Sequence, residues 1–334
     1  MTYRRRVQVT GGGTFLVTLP KEWADRLGVG QGTEMILIPN DSGAMLVVPE
    51  GVRDRNRCTL AMTGRDRVHL QRDIIARYIA GYDVIEVVGD RIGSKGRRVV
   101  RDIAQSLVGV EVLGETQGAV TLHCIASVRE FPASQTIRRI LEITDAMWDD
   151  AVAAFLTRDE ELASDVEERD GDVDRLVLLV ARQFGLLLRD LIVEEEVGMS
   201  RFEFLHYHTV ADQLERVADH AVKVSRAAQS LGQVPPPRYA DHARKLADAS
   251  QDVVREAVGA FTDRDVARAN RVLAEKGATA AVTEWMQEAV RAQRENALPL
   301  TLLHDSLLRC REHGFNIAET ALDASVPTLG PGQM

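Results

Sequence analysis

Strand signals stop at Pro132, and beyond it the chain repeats itself. Ala151-Val152-Ala153-Ala154-Phe155 and Arg158-Asp159 return as Ala257-Val258-Gly259-Ala260-Phe261 and Arg264-Asp265, an offset of 106 residues. Asp219-His220-Ala221-Val222-Lys223-Val224 returns as Glu312-His313-Gly314-Phe315-Asn316-Ile317, an offset of 93. Apolar residues recur at helical spacing, as in Leu176, Val180, Phe184, Leu187, Leu188 and Leu191. Helices are expected over about 134–158, 159–196 and 200–229, then 238–263, 265–296 and 298–324. Val234-Pro235-Pro236-Pro237 cannot be helical and separates the two sets. The pattern predicts two tandem three-helix bundles, at 132–232 and 238–326.

The first 131 residues have another grammar. Val7, Val9, Phe15–Leu19, Met35–Ile38 and Met45–Val48 are short strand-like runs, with turns at Gly11-Gly12-Gly13 and Asn40-Asp41-Ser42-Gly43. Pro20 opens a short helix over Lys21–Leu27 and Gly28 stops it. So small a β-rich unit, 1–52, buries little area and calls for a partner chain. The triple glycine opens a strand, and no Gly-Lys-Ser/Thr follows, so it is not a phosphate loop. From 53 to 131 strands at 58–62, 84–88, 110–113 and 119–124 alternate with helices at 68–80 and 96–106, a small α/β domain. Its Gly93-Ser94-Lys95-Gly96 is read as a turn, and no chemistry is assigned to this segment.

Composition excludes several classes. The net charge of −9 argues against a mainly nucleic-acid-binding surface, although a local basic patch is compatible with it. Cys58, Cys124 and Cys310 are widely spaced and odd in number, which suits a reducing cytoplasm and neither a disulfide framework nor a zinc site. No apolar run reaches the roughly 18 residues of a membrane span. Arg4-Arg5-Arg6 is followed by glycines and polar residues, so export is not expected.

The residues that carry chemistry sit in Gln213–Val222, a helix by its Leu214, Val217, Ala218, Ala221, Val222 stripe. Glu215 and Asp219 are four apart and share a face, where like charges cost a bare helix roughly 0.2–0.5 kcal/mol. Either a cation offsets them or the face is simply solvated, with Arg169, Arg175 or Arg216 pairing nearby.

Two families resemble parts of the chain. Val17-Thr18-Leu19-Pro20-Lys21-Glu22-Trp23, Leu27-Gly28-Val29, Gly32 and the closing strand resemble the AbrB/SpoVT-type swapped-hairpin domain. That resemblance implies an interlocked homodimer and DNA contacts from Arg4, Arg5, Arg6, Lys21 and Arg26. Residues 1–26 hold five basic and two acidic side chains, an excess that suits phosphate contacts. The family's repressors carry arginines before the proline and in the short helix, where this chain has Phe15, Leu16, Ala24 and Asp25. The competing reading is a dimerisation module with a solvated basic end.

Leu214-Glu215-Arg216-Val217-Ala218-Asp219-His220-Ala221 is similar to the signature of the PhoU family of phosphate-uptake regulators, and the resemblance covers about 137–324. The whole arrangement, an AbrB-type head, an α/β segment and PhoU-like repeats, resembles the archaeal phosphate-uptake regulators. The resemblance implies a multinuclear cluster of iron, zinc or another divalent metal held by Glu/Asp-x-x-x-Asp pairs. The matching positions are Asp170, Asp174, Glu215 and Asp219. Four oxygen donors suit a hard cation or a carboxylate-bridged iron or manganese cluster. His220 is either a flanking ligand or the maker of a structural hydrogen bond. In the second repeat Lys276, Ala280, Leu308 and Glu312 occupy the four places, so no second cluster is expected.

The expected function is a cytoplasmic, non-enzymatic regulator of phosphate uptake or phosphate-responsive transcription, homodimeric through its head. Promoter DNA and a phosphate ABC transporter or its regulatory kinase are the expected partners. The alternative is a protein-interaction regulator that does not touch DNA. A di-metal phosphohydrolase ranks third, because no nucleophile–base pair or oxyanion device is recognisable; His206 and His208 are two apart and point away from each other.

Overall fold

The computed structural model describes residues 2–39, 43–50, 56–126, 129–189, 191–277, 287–288, 290–292 and 294–326. The chain divides into two compact units, the first running to Arg55 and the second spanning Asn56–Pro327.

The first unit is built from two hairpins and a short helix. β1 (Gln8–Val9) pairs antiparallel with β2 (Phe15–Leu16), and β3 (Met35–Pro39) with β4 (Met45–Pro49). The triple glycine makes the first turn: Gly13 takes φ +82° and donates to the Thr10 carbonyl at 2.9 Å. Between the hairpins lies α1 (Lys21–Arg26), started by Pro20 and followed by Gly28 at φ +68°. The strand expected over Phe15–Leu19 is a ladder only to Leu16, because β1 offers two residues to pair with. The turn expected at Asn40–Ser42 lies outside the described residues.

The second unit opens with the expected α/β segment. β5 (Arg57–Ala61), α2 (Arg67–Ile79), β6 (Val84–Val88), α3 (Ser94–Gln105), β7 (Val110–Glu115) and β8 (Ala119–Cys124) follow in order. The sheet order is β5-β6-β8-β7, with β5 and β6 parallel and the other neighbours antiparallel. Its core is Leu60, Leu70, Ile74, Tyr78, Ile85, Val87, Val100, Ile103, Val120 and Leu122.

The helical half follows: α4 (Ala133–Thr157), α5 (Glu160–Arg189), α6 (Leu191–Val197), α7 (Arg201–Gln229), α8 (Pro237–Asp263), α9 (Val266–Ala274) and α10 (Ala297–Ser325). α4, α5 and α7 pack together, α8 and α9 pack with α10, and the two groups meet along α7–α10 and α4–α8. One continuous apolar core runs through both. The protein is thus mainly α, behind small N-terminal hairpins and an α/β segment.

The repeated Arg-Asp pairs are a turn used twice. Arg158 and Arg264 close α4 and α8 in the left-handed region, at φ 57° and 53°. Asp159 and Asp265 then cap the next helices, accepting from Leu162 N at 3.0 Å and Arg268 N at 2.9 Å. Two expected helices differ. The one expected over 159–196 is α5 and α6, with residue 190 outside the described set. The one expected over 265–296 is interrupted: α9 ends at Ala274, a 3-10 turn, Glu275–Gly277, brings in glycine, a poor helix residue, and residues 287–288 and 290–292 are again helical. Residues 278–286 of that span lie outside the described residues.

Candidate metal centre and nucleic-acid interface

α7 is held by its sequence. Ser200 caps it by accepting from Glu203 N at 3.1 Å, and Leu214, Val217, Ala218, Ala221 and Val222 are buried along one stripe. Glu215 and Asp219 stand beside that stripe. On α5, Val166, Val173, Val177 and Val180 are buried, and Asp170 and Asp174 stand beside them in the same way. Packing α5 on α7 therefore brings two acidic pairs to one seam.

The two pairs act on each other's charge. The Asp170 carboxyl is pushed up to about 6 by partial burial, then by Asp174 and Asp219, with Arg226 working against them. Asp174 is raised by desolvation and then by Asp219 across the seam. Glu215 is raised by desolvation, then by Asp219 and Asp174. Three of the four carboxylates thus feel a partner on the other helix.

The arginines that would solvate such a face are mostly engaged elsewhere. Arg169 pairs with Asp150 at 2.6 Å and Asp165 at 2.9 Å, Arg226 with Glu167 at 2.8 Å, and Arg175 lies 3.8 Å from Asp172. Arg216 relieves Glu215 only as the smallest of the causes acting on it. Among the described residues, none of the four carboxylates takes part in an ion pair. Below the acidic seam lies a cleft of about 290 Å³ lined by Asp170, Asp219, Lys223, Arg226 and Ser230.

The donor set, carboxylate oxygens without thiols, fits a hard cation and not a thiophilic one. Among the described residues, no three His, Cys, Asp or Glu side chains stand close enough to chelate an ion with their present rotamers. The four carboxylates stand on adjacent helices and act on one another's charge.

His220 is engaged elsewhere: its Nδ1 lies 3.2 Å from Ser306 Oγ on α10, the structural hydrogen bond of the two alternatives. In the second repeat, Lys276 pairs with Glu319 at 2.9 Å and Glu312 with Arg309 at 2.7 Å; Ala280 lies outside the described residues. Sequence reasoning overlooks Lys223 and Arg226, whose i+4 and i+7 spacing from Asp219 is the available signal. It also overlooks Arg182, 3% exposed, which donates to the Tyr78 and Tyr82 carbonyls at 2.7 and 2.9 Å and ties α5 to the α/β segment.

Within the first unit, Arg4, Arg5 and Arg6 precede β1, while Lys21 and Arg26 open and close α1; all five are exposed. Tyr3 donates to Glu22 Oε2 at 3.1 Å and carries the Arg5 guanidinium 5.9 Å above its ring, which draws the arginine run toward α1.

The family model for the PhoU domain matches residues 137–228, the span of α4, α5 and most of α7. The model "Antidote-toxin recognition MazE, bacterial antitoxin" matches residues 8–54. No curated protein matches the chain. Among solved structures, PhoU from Pseudomonas aeruginosa is 24% identical, with a TM-score of 0.48, over 59% of this chain and 97% of that one. The phosphate transport system regulatory protein PhoU from Streptococcus pneumoniae is 14% identical, with a TM-score of 0.47, over 57% of this chain and 92% of that one. The four carboxylates thus lie inside the matched PhoU span, and the exposed arginines and lysine in or beside the matched head. The chain carries a PhoU domain at residues 137–228 and, ahead of it, a MazE/AbrB-like domain at residues 8–54.

Proposed function

We propose that this protein is a cytoplasmic regulator of phosphate uptake whose head dimerises and binds promoter DNA and whose first helical bundle holds a divalent metal, iron or zinc among the candidates. The observation that carries the reading is the presence of a PhoU domain and a MazE/AbrB-like head in one chain. The metal would be held by Asp170, Asp174, Glu215 and Asp219, and the DNA phosphates by Arg4, Arg5, Arg6, Lys21 and Arg26. A phosphate transporter or its regulatory kinase is the partner such a helical half would serve. A bound metal would supply charge compensation at the α5–α7 seam. The chain's own carboxylates would fix the spacing of the two helices around it.

Exposure supports the dimer. Val9 is 64% exposed, Phe15 73% and Val17 58%, and among the described residues of the first unit only Pro49 is buried. Two-stranded hairpins are at best marginal alone in water, so these side chains need a second surface. A second copy of the head would supply it and would extend the ladder past Leu16.

The test is binding of the full chain to its own promoter DNA across a salt series. Affinity should fall steeply with log[salt], and Arg4→Ala/Arg5→Ala/Arg6→Ala should abolish it. No binding at low salt would leave the reading without DNA, a protein-interaction regulator of a transporter or kinase. Turnover of phosphate esters would instead favour the phosphohydrolase.

A further inference from the structure

The offset of 93 residues places His220 and His313 in equivalent positions of the two repeats, on α7 and α10. The structure brings the two rings together, with centroids 5.9 Å apart and planes tilted by 39°. Their contacts are reciprocal. His220 Nδ1 lies 3.2 Å from Ser306 Oγ, and His313 Nδ1 lies 2.9 Å from Gln213 Oε1. Gln213 and Ser306 are themselves related by the same offset.

The Gln213 contact favours one tautomer. Gln213 Oε1 also accepts from Asn316 Nδ2 at 3.0 Å, so the glutamine presents its oxygen to the histidine. An amide oxygen only accepts, so the proton of His313 sits on Nδ1 and Nε2 carries a lone pair. Ser306 can accept from His220 Nδ1 in the same way. Orienting an imidazole through the nitrogen that does not bind is how metal-ligating histidines are held. Among the described residues, neither Nε2 has a hydrogen-bond partner, and neither is a buried orphan.

We propose that His220 and His313 form a second metal site, distinct from the carboxylate seam, that takes a late first-row divalent cation such as Zn²⁺, Cu²⁺ or Ni²⁺ through their two Nε2 atoms. Neutral imidazole suits these ions, whereas the all-oxygen seam suits harder ones. A metal about 2.0–2.1 Å from each nitrogen sets two imidazole centres roughly 5–6.5 Å apart, a range that contains the observed spacing. Water would complete the coordination, since no third protein ligand is gathered there. Arg216 and Arg309 lie close enough to act on the His313 charge and set a limit on affinity. Each repeat contributes one ligand, so the ion would pin the first bundle to the second.

The experiment titrates Cu²⁺ into the chelator-stripped full chain and counts imidazole nitrogens from their hyperfine splitting in the EPR spectrum. Copper bound with two coupled nitrogens is expected, beside any copper that the carboxylate seam takes. His313→Gln or His220→Gln should leave one nitrogen and weaken binding at least tenfold. Asp170→Ala/Asp174→Ala/Glu215→Ala/Asp219→Ala should leave the two-nitrogen signal intact. Unchanged copper binding and hyperfine in both single histidine variants would overturn the proposal, as would loss of the two-nitrogen signal in the carboxylate variant alone. The outcome stands apart from whether the carboxylates bind a metal.

Discussion

Asp170 holds the most informative single charge in the molecule. Its folded carboxyl titrates near 6, above its ordinary 3.8, because burial and the carboxylates of Asp174 and Asp219 disfavour ionisation. A raised folded pKa contributes stability at pH below about 4 and loses it as pH climbs through about 6. The metal-stripped protein should therefore lose stability between these values, and Asp170→Asn should flatten that slope and be the more stable of the two at pH 7. Denaturant melts at pH 4 and pH 7 check this. A wild type that gains as much stability as the variant over this window would contradict it. The i, i+4 spacing of Glu215 and Asp219 was legible in the sequence because a helix imposes it. The field across the seam was not, because it depends on how α5 lies on α7. The engagement of Arg169 by Asp150 and Asp165 was equally out of reach, since any of several carboxylates could have claimed it.

At the scale of elements, α5 does two jobs along one length. Its first half carries Asp170 and Asp174, while its second half docks on the end of α2. Besides Arg182, which also lies 3.5 Å from Asp83, Arg189 donates to the Ala80 carbonyl. Gly185 lets the helix approach so closely that a Cβ there would overlap the Ile79 carbonyl oxygen. Gly185→Ala should destabilise the chain by about 1–3 kcal/mol, the usual cost of overpacking, despite alanine's better helix propensity. Chemical denaturation measures it, and a variant as stable as the parent would show that α2 and α5 can separate at no cost. The helices of the repeat were readable from apolar periodicity, and the Arg-Asp turns from their recurrence at 158–159 and 264–265. The early end of α9 was not, since the residues up to Ala274 and those after it have the same helical pattern. The docking of α2 on α5 was hidden too, because a single glycine within a helical run gives no sign of what approaches it.

On the scale of the whole molecule, the repeats pack about the α7–α10 and α4–α8 contacts, and residues meet their own counterparts there. Asp145 and Gln251 are equivalent at the 106 offset, and Gln251 Nε2 donates to the Asp145 carbonyl oxygen at 2.9 Å. The exposed apolar residues of the head predict association. The full chain should run as a dimer in light scattering, and Phe15→Glu should shift it to monomer; a monomeric parent would contradict the dimer. The central claim concerns the first bundle, and metal analysis of the purified full chain tests it most directly. The wild type should carry metal that Asp170→Ala/Asp174→Ala/Glu215→Ala/Asp219→Ala lacks. Equal metal content in the two would contradict the account.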